Sequence, residues 1–200
     1  MEYAVIFLRE DLAFGWVEGI DEVVSLAKGT LVHELAHVHD YYKHGDNQIP
    51  MRSDWRGICK SAARSAWGEF FAESVACQFV EGGSSEGHDS EATSLLQGFL
   101  QELSQKIADY RSDRNAISLW EFSTKGMMDL FNQLGRALGS MSRSRLNNTD
   151  KFDQLFESIE KISPPWTDVA HIFVEELLRG VCNRKDACLL TPSTIKCVWF

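Results

Sequence analysis

A basic surface is the first thing this 200-residue chain lacks: 20 lysines and arginines stand against 29 aspartates and glutamates, a formal net charge of −9. Nucleic-acid binding needs a positive face, so that partner class is set aside. The one small basic run, Arg143 and Arg145 within Ser-Arg-Ser-Arg, reads as a solvated loop. Long hydrophobic runs are missing too. No stretch approaches the roughly 18 apolar residues of a membrane span. The opening Met-Glu-Tyr-Ala-Val-Ile-Phe-Leu-Arg-Glu-Asp has too short an apolar run and the wrong flanking charges for a signal peptide. A soluble, cytoplasmic protein with no membrane partner is the expectation. Cysteine is sparse and odd in number: Cys59, Cys77, Cys182, Cys188 and Cys197, with no CxxC spacing. Free thiols in a reducing compartment fit this better than a disulfide framework, although the last three leave a disulfide or weak metal site near the C-terminus open. Internal repeats and a helix-turn-helix are also absent from the sequence pattern.

What is present is enough to build a core. Apolar residues make up 44% of the chain, with 12 Phe and 6 Trp, and this length supports one packed domain or a domain with a helical extension. Residues 3 to 8, Tyr-Ala-Val-Ile-Phe-Leu, predict a short buried strand. Gly15 and Gly19 punctuate a turn, and Asp21 caps a helix over about 22 to 43. Gly45, Asp46, Asn47 and Pro50 form a loop. A second helix spans about 58 to 80. The glycine-serine stretch at 82 to 87 is the best candidate for a boundary, dividing a core at 1–81 from a helical region at 88–200 packed on it. Beyond it, Leu96, Phe99, Leu100, Leu103, Ile107 and Tyr110 recur at steps of three and four. Leu119 to Leu138 predicts a further helix ended by Gly139-Ser140. Asn147 to Asp150 caps the helix carrying Phe152, Leu155, Phe156, Ile159 and Ile162. Pro164-Pro165 then opens a last helix over about 166 to 182. The predicted fold class is mainly α, with a short N-terminal β segment.

The most specific chemistry lies at His33-Glu34-Leu35-Ala36-His37. Histidines four apart on a helix share one face, one turn above each other, and can grip one metal ion from a rigid backbone. Glu34 beside them can act on an activated water without being a ligand. A hydrolytic zinc keeps three protein ligands, so one is missing. Glu69 and Glu73, one turn apart on the next helix, are the natural candidates. Ala76 and Cys77 continue their face with small side chains. His44, seven residues after His37, is a rival ligand. Cys77 itself fits the core better than a metal. His39 points off the ligand face.

Here the sequence resembles known families. Thr30-Leu-Val-His33-Glu34-Leu-Ala-His37-Val38 is similar to the active-site helix of zincin metallopeptidases. Glu69-Phe-Phe-Ala72-Glu73-Ser-Val-Ala76 resembles the E-x-x-A-[acid or Asn]-x-x-A helix of gluzincins, and the pair is most similar to the ImmA/IrrE group of metallo-endopeptidases. The resemblance covers roughly residues 28 to 80. It implies a zincin-like active-site helix pair followed by a helical, bundle-like extension. It also implies Zn2+ held by His33, His37 and Glu69, with Glu34 as general base, although two nitrogens and an oxygen also accept Mn2+. The residue four after the first acid supports a ligand histidine, which gives that role to Glu73; Asp40 is the other residue able to take it. Glu73 departs from the Asn or Asp more usual there, and the third histidine of metzincins is not matched, since position 43 is Lys and position 40 is Asp. About thirty residues precede the motif, fewer than a zincin usually spends on its upper sheet, so the sheet is minimal or part of it is missing. Peptide deformylases place a cysteine ligand upstream of HExxH; every cysteine here is downstream.

The resemblance implies hydrolysis of a protein or peptide substrate. An exposed edge at residues 3 to 8 is a candidate for pairing with an extended substrate. Tyr41, Tyr42 and His171 are candidates to hold the oxyanion, although the apolar setting of His171 suits a core histidine. A different class is also open: a helical protein-interaction module whose metal site is structural or catalytically inactive, with the amphipathic helices from 89 to 182 as the partner surface.

Overall fold

A computed structural model of the chain describes residues 6–7, 9–44, 55–79, 87–144 and 149–183. Seven helices account for almost all of them: α1 (Glu10–Glu18), α2 (Asp21–His44), α3 (Trp55–Phe79), α4 (His88–Asp113), α5 (Ala116–Ser144), α6 (Thr149–Ile162) and α7 (Pro164–Asn183). The mainly α class holds. The strand expected over 3 to 8 is not seen: residues 6 and 7 carry no regular structure, and the rest of that segment lies outside the described residues. Compact packing divides the chain between residues 143 and 144, whereas the sequence pattern suggested 82 to 87.

α1 is an element the sequence pattern concealed, because Gly15 looked like a turn residue. Glu10 and Asp11 occupy its first turn, where acidic side chains meet the positive end of the helix dipole. It ends at Gly19, whose φ of 70° is left-handed. Ile20 N–H donates to Gly15 O at 3.1 Å and Gly19 N–H to Trp16 O at 3.2 Å, the paired bonds of a Schellman ending. Gly15 lies inside the helix, where a methyl group would stand 2.2 Å from Val23 Cγ1. It is a packing glycine at the contact of α1 with α2.

α2 packs against α3. Ala36 on α2 and Ala62, Ala66, Ala72 and Ala76 on α3 are buried, so short side chains let the two backbones come together. One turn beyond His37, buried Asp40 accepts a hydrogen bond from Arg64 and ties the helices by charge.

α5 starts at a side-chain cap, with Asn115 Oδ1 accepting Ser118 N–H at 3.1 Å. It does not end at Gly139-Ser140 as the sequence suggested but runs on to Ser144. Gly139 and Gly135 are again packing glycines: a methyl would stand 2.5 Å from Phe70 O at the first and 2.4 Å from Ala66 O at the second. α5 therefore lies directly on the backbone of α3. Gly126 admits the ring of Phe99 from α4 in the same way, at 2.3 Å from where a methyl would be.

In the second unit, α6 and α7 pack on each other through Leu155, Phe156 and Ile159 and through Phe173, Val174 and Leu177, all buried. Pro164 opens α7, where its missing N–H leaves no bond unmade.

Candidate metal centre

One turn of α2 sets His33 and His37 with ring centroids 4.8 Å apart and planes at 78°. Their Nε2 atoms converge to 3.1 Å. Glu69, projecting from α3, brings Oε2 to 3.4 Å from His33 Nε2 and Oε1 to 3.7 Å from His37 Nε2. The potential ligand atoms of these three residues all lie within 4.8 Å of one another. Bonds of about 2.0–2.1 Å to a tetrahedral zinc put neighbouring ligand atoms about 3.3–3.4 Å apart. The two Nε2 atoms, and the Glu69 oxygen nearer to each, lie close to that edge length, although the two histidines meet different oxygens of the carboxylate; the three residues are gathered as a donor set able to take a divalent ion.

Glu73, one turn beyond Glu69, is almost fully buried, and its Oε2 lies 3.2 Å from His33 Nδ1. A proton on Nδ1 shared with this carboxylate turns the Nε2 lone pair toward His37 and Glu69, the orientation a metal ligand needs. Cys77 donates its S–H to Glu73 Oε1 at 3.4 Å, and His88 Nε2 approaches the same oxygen at 3.6 Å. Glu69 in turn accepts from Arg136 Nε at 2.7 Å, through Oε2. Bases and acids thus alternate in space: His88, Glu73, His33, Glu69, Arg136.

The charges follow from this alternation. Burial pushes the His33 imidazole down, but hydrogen bonds and attraction from Glu69 and Glu73 outweigh it and raise its pKa to about 9. Burial pushes the Glu69 carboxyl up, but His33 and Arg136 outweigh it and hold it at about 2. His37 is lowered, chiefly by burial. His88 is raised by its hydrogen bond to Glu73, against burial. Without a metal, then, His33 is the charged donor and His37 the neutral acceptor across their Nε2 pair. A metal must displace that proton, so binding releases it.

A cleft of about 200 Å³ opens over these groups, lined by Gly29, Thr30, His33, Glu34, Glu73, His88 and Arg136. Glu34 therefore shares a cleft with His33, one of the three residues that could hold a metal ion. The backbone of Gly68 lies under the His37 ring, where a methyl would be 3.6 Å from Cε1 and Nδ1.

The remaining candidates lie elsewhere. Asp40, considered beside Glu73 for support of a ligand histidine, takes Arg64. Tyr41 and Tyr42 are exposed and pack edge-on against each other at 5.6 Å. His39 is exposed and stacks on Phe71 at 6.4 Å. His171 stacks on Phe156 at 4.2 Å within the second unit. The side chain of His44 lies outside the described residues. Two residues of the site escaped sequence reasoning. Arg136 had one faint signal, its place between Gly135 and Gly139 in an otherwise apolar helical pattern. His88, at the first turn of α4 beside Glu91, had none.

Compared with known proteins, the chain matches no protein-family model, no curated protein and no solved structure.

Proposed function

We propose that this chain is a zinc-dependent metalloprotease of the gluzincin type, an endopeptidase similar to the ImmA/IrrE group, acting on a protein or peptide substrate. The observation that carries the reading is the meeting of His33 Nε2, His37 Nε2 and the Glu69 carboxylate from two helices, with their ligand atoms within 4.8 Å of one another, beside a cleft that also contains Glu34. Zinc, when bound there, supplies Lewis-acid chemistry: it lowers the pKa of a water to about 7 and polarises a scissile carbonyl. Glu34 takes the proton of the attacking water and passes it to the leaving amine. Glu73 holds the outer nitrogen of His33 and so keeps its ring aimed.

The test is bound metal and proteolysis for the wild type, Glu34→Gln and Glu69→Ala. Glu34→Gln is expected to keep the metal and lose cleavage; Glu69→Ala is expected to lose both. Cleavage by Glu34→Gln at the wild-type rate would contradict the mechanism.

A second reading draws support from the exposed Phe14, Val17, Leu26 and Leu35 on α1 and α2. Apolar side chains at the surface suit an interaction module in which the metal site is structural or catalytically inactive. That reading predicts metal bound by all variants that retain His33, His37 and Glu69, and cleavage by none.

No helix among the described residues is long and apolar enough to cross a membrane.

A further inference from the structure

We propose that Arg136 is a positioning residue that makes Glu69 a one-oxygen ligand and so keeps the metal centre four-coordinate. This rests on the metal-centre reading above. Both oxygens of Glu69 face the histidine pair, Oε2 at 3.4 Å from His33 Nε2 and Oε1 at 3.7 Å from His37 Nε2. Left alone, such a carboxylate can wrap an ion through both oxygens. Arg136 Nε opposes this by donating to Oε2 at 2.7 Å, the length of a strong charge-assisted bond. An ion that took Oε2 as well would have to share an oxygen already engaged by a full positive charge, which weakens it as a ligand. Oε1, which carries no bond to the guanidinium, is the stronger ligand atom.

A second observation points the same way. Gly135 and Gly139 bracket Arg136, and each seats α5 on α3 more closely than any side chain allows: a methyl would stand 2.4 Å from Ala66 O and 2.5 Å from Phe70 O. Those two carbonyls belong to the turn of α3 that carries Glu69. Glycine weakens a helix interior, and two of them here put the guanidinium at that carboxylate. Three single-atom ligands and one open position describe a tetrahedral ion such as zinc or cobalt(II), rather than manganese, which prefers six oxygen-rich positions. The long helix beyond the glycine-serine stretch thereby becomes a working wall of the site.

Cobalt(II) tests this on the full chain, because its visible absorption is intense when four-coordinate and weak when six-coordinate. The wild type is expected to show the intense spectrum. Arg136→Met is expected to bind cobalt about 10–100-fold more weakly and to absorb less per bound ion as Oε2 joins the ion. Unchanged affinity and an unchanged spectrum per bound cobalt would overturn the proposal while leaving the metal centre standing. A wild type that binds no cobalt would overturn the metal centre itself, and this proposal with it. Should Arg136→Met lose its far-ultraviolet helix signal, Arg136→Ala, which adds no apolar bulk to the cleft, carries the same two readouts.

Discussion

Gly139→Ala is the substitution that probes most sharply how α5 comes to complete the site. The added methyl would stand 2.5 Å from Phe70 O, 2.9 Å from Glu73 Cβ and 3.2 Å from Ser74 N, where ordinary contact begins near 3.4 Å. Two of these three neighbours are backbone atoms of α3, which cannot swing aside, so the helices must part by roughly 0.9 Å. Overpacking of that kind costs about 1–3 kcal/mol. Alanine's better helix propensity returns about 1 kcal/mol. The net expectation is a loss of up to about 2 kcal/mol. Gly98→Ala is the control: nothing lies within 4 Å of its added methyl, so propensity acts alone and stability rises by up to about 1 kcal/mol. Urea unfolding followed by tryptophan fluorescence reads both, since Trp67 is buried on α3 against Phe70, with ring centroids at 5.7 Å. Opposite signs are the expected result. Stabilisation by both substitutions would refute the close seating of α5 on α3. Gly139→Ala should also weaken metal binding, by drawing Arg136 away from Glu69; Gly98→Ala should not.

Other expectations concern the site itself. Glu73→Gln should lower zinc affinity about 10–100-fold in a chelator competition, because the outer nitrogen of His33 loses its carboxylate. The metal-free protein should show a stability optimum set by two groups. His33, raised from 6.5 to about 9, contributes fully below pH 6.5 and loses its contribution as pH rises through 9. Glu69, lowered from 4.5 to about 2, contributes above pH 4.5 and loses its contribution as pH falls toward 2. Urea midpoints in the presence of a chelator should therefore peak between these limits, and His33→Gln should flatten the alkaline side. Zinc at a hundred times its dissociation constant should stabilise the chain by about 2.7 kcal/mol, visible as a rise in the thermal midpoint that a chelator reverses.

The legible parts of this protein are those governed by short-range periodicity. His33 and His37 announce a shared helix face by their spacing alone, and Leu96, Phe99 and Leu103 announce α4. The acids on α3 are readable because Glu69 and Glu73 also lie one turn apart. The glycines misled twice, for one physical reason. Gly15 and Gly139 carry the local mark of a helix end, yet each sits inside a helix where a neighbour leaves no room for a Cβ. Only tertiary packing distinguishes the two uses. Arg136, marked only faintly by its flanking glycines, and His88, not marked at all, were missed for a related reason: each reaches the site through a long-range approach of helices that local periodicity does not encode. Arg136 is 67 positions from the carboxylate it holds. Asp40 was ambiguous until Arg64 supplied its partner.

X-ray absorption at the zinc edge of the zinc-loaded protein tests the central claim most directly. One zinc per chain is expected, surrounded by two imidazole nitrogens and oxygen at about 2.0–2.1 Å, with the imidazole signal lost when His33 and His37 are both replaced. A sulfur shell at about 2.3 Å would place the metal on the cysteines instead, and the centre built from His33, His37 and Glu69 would be contradicted.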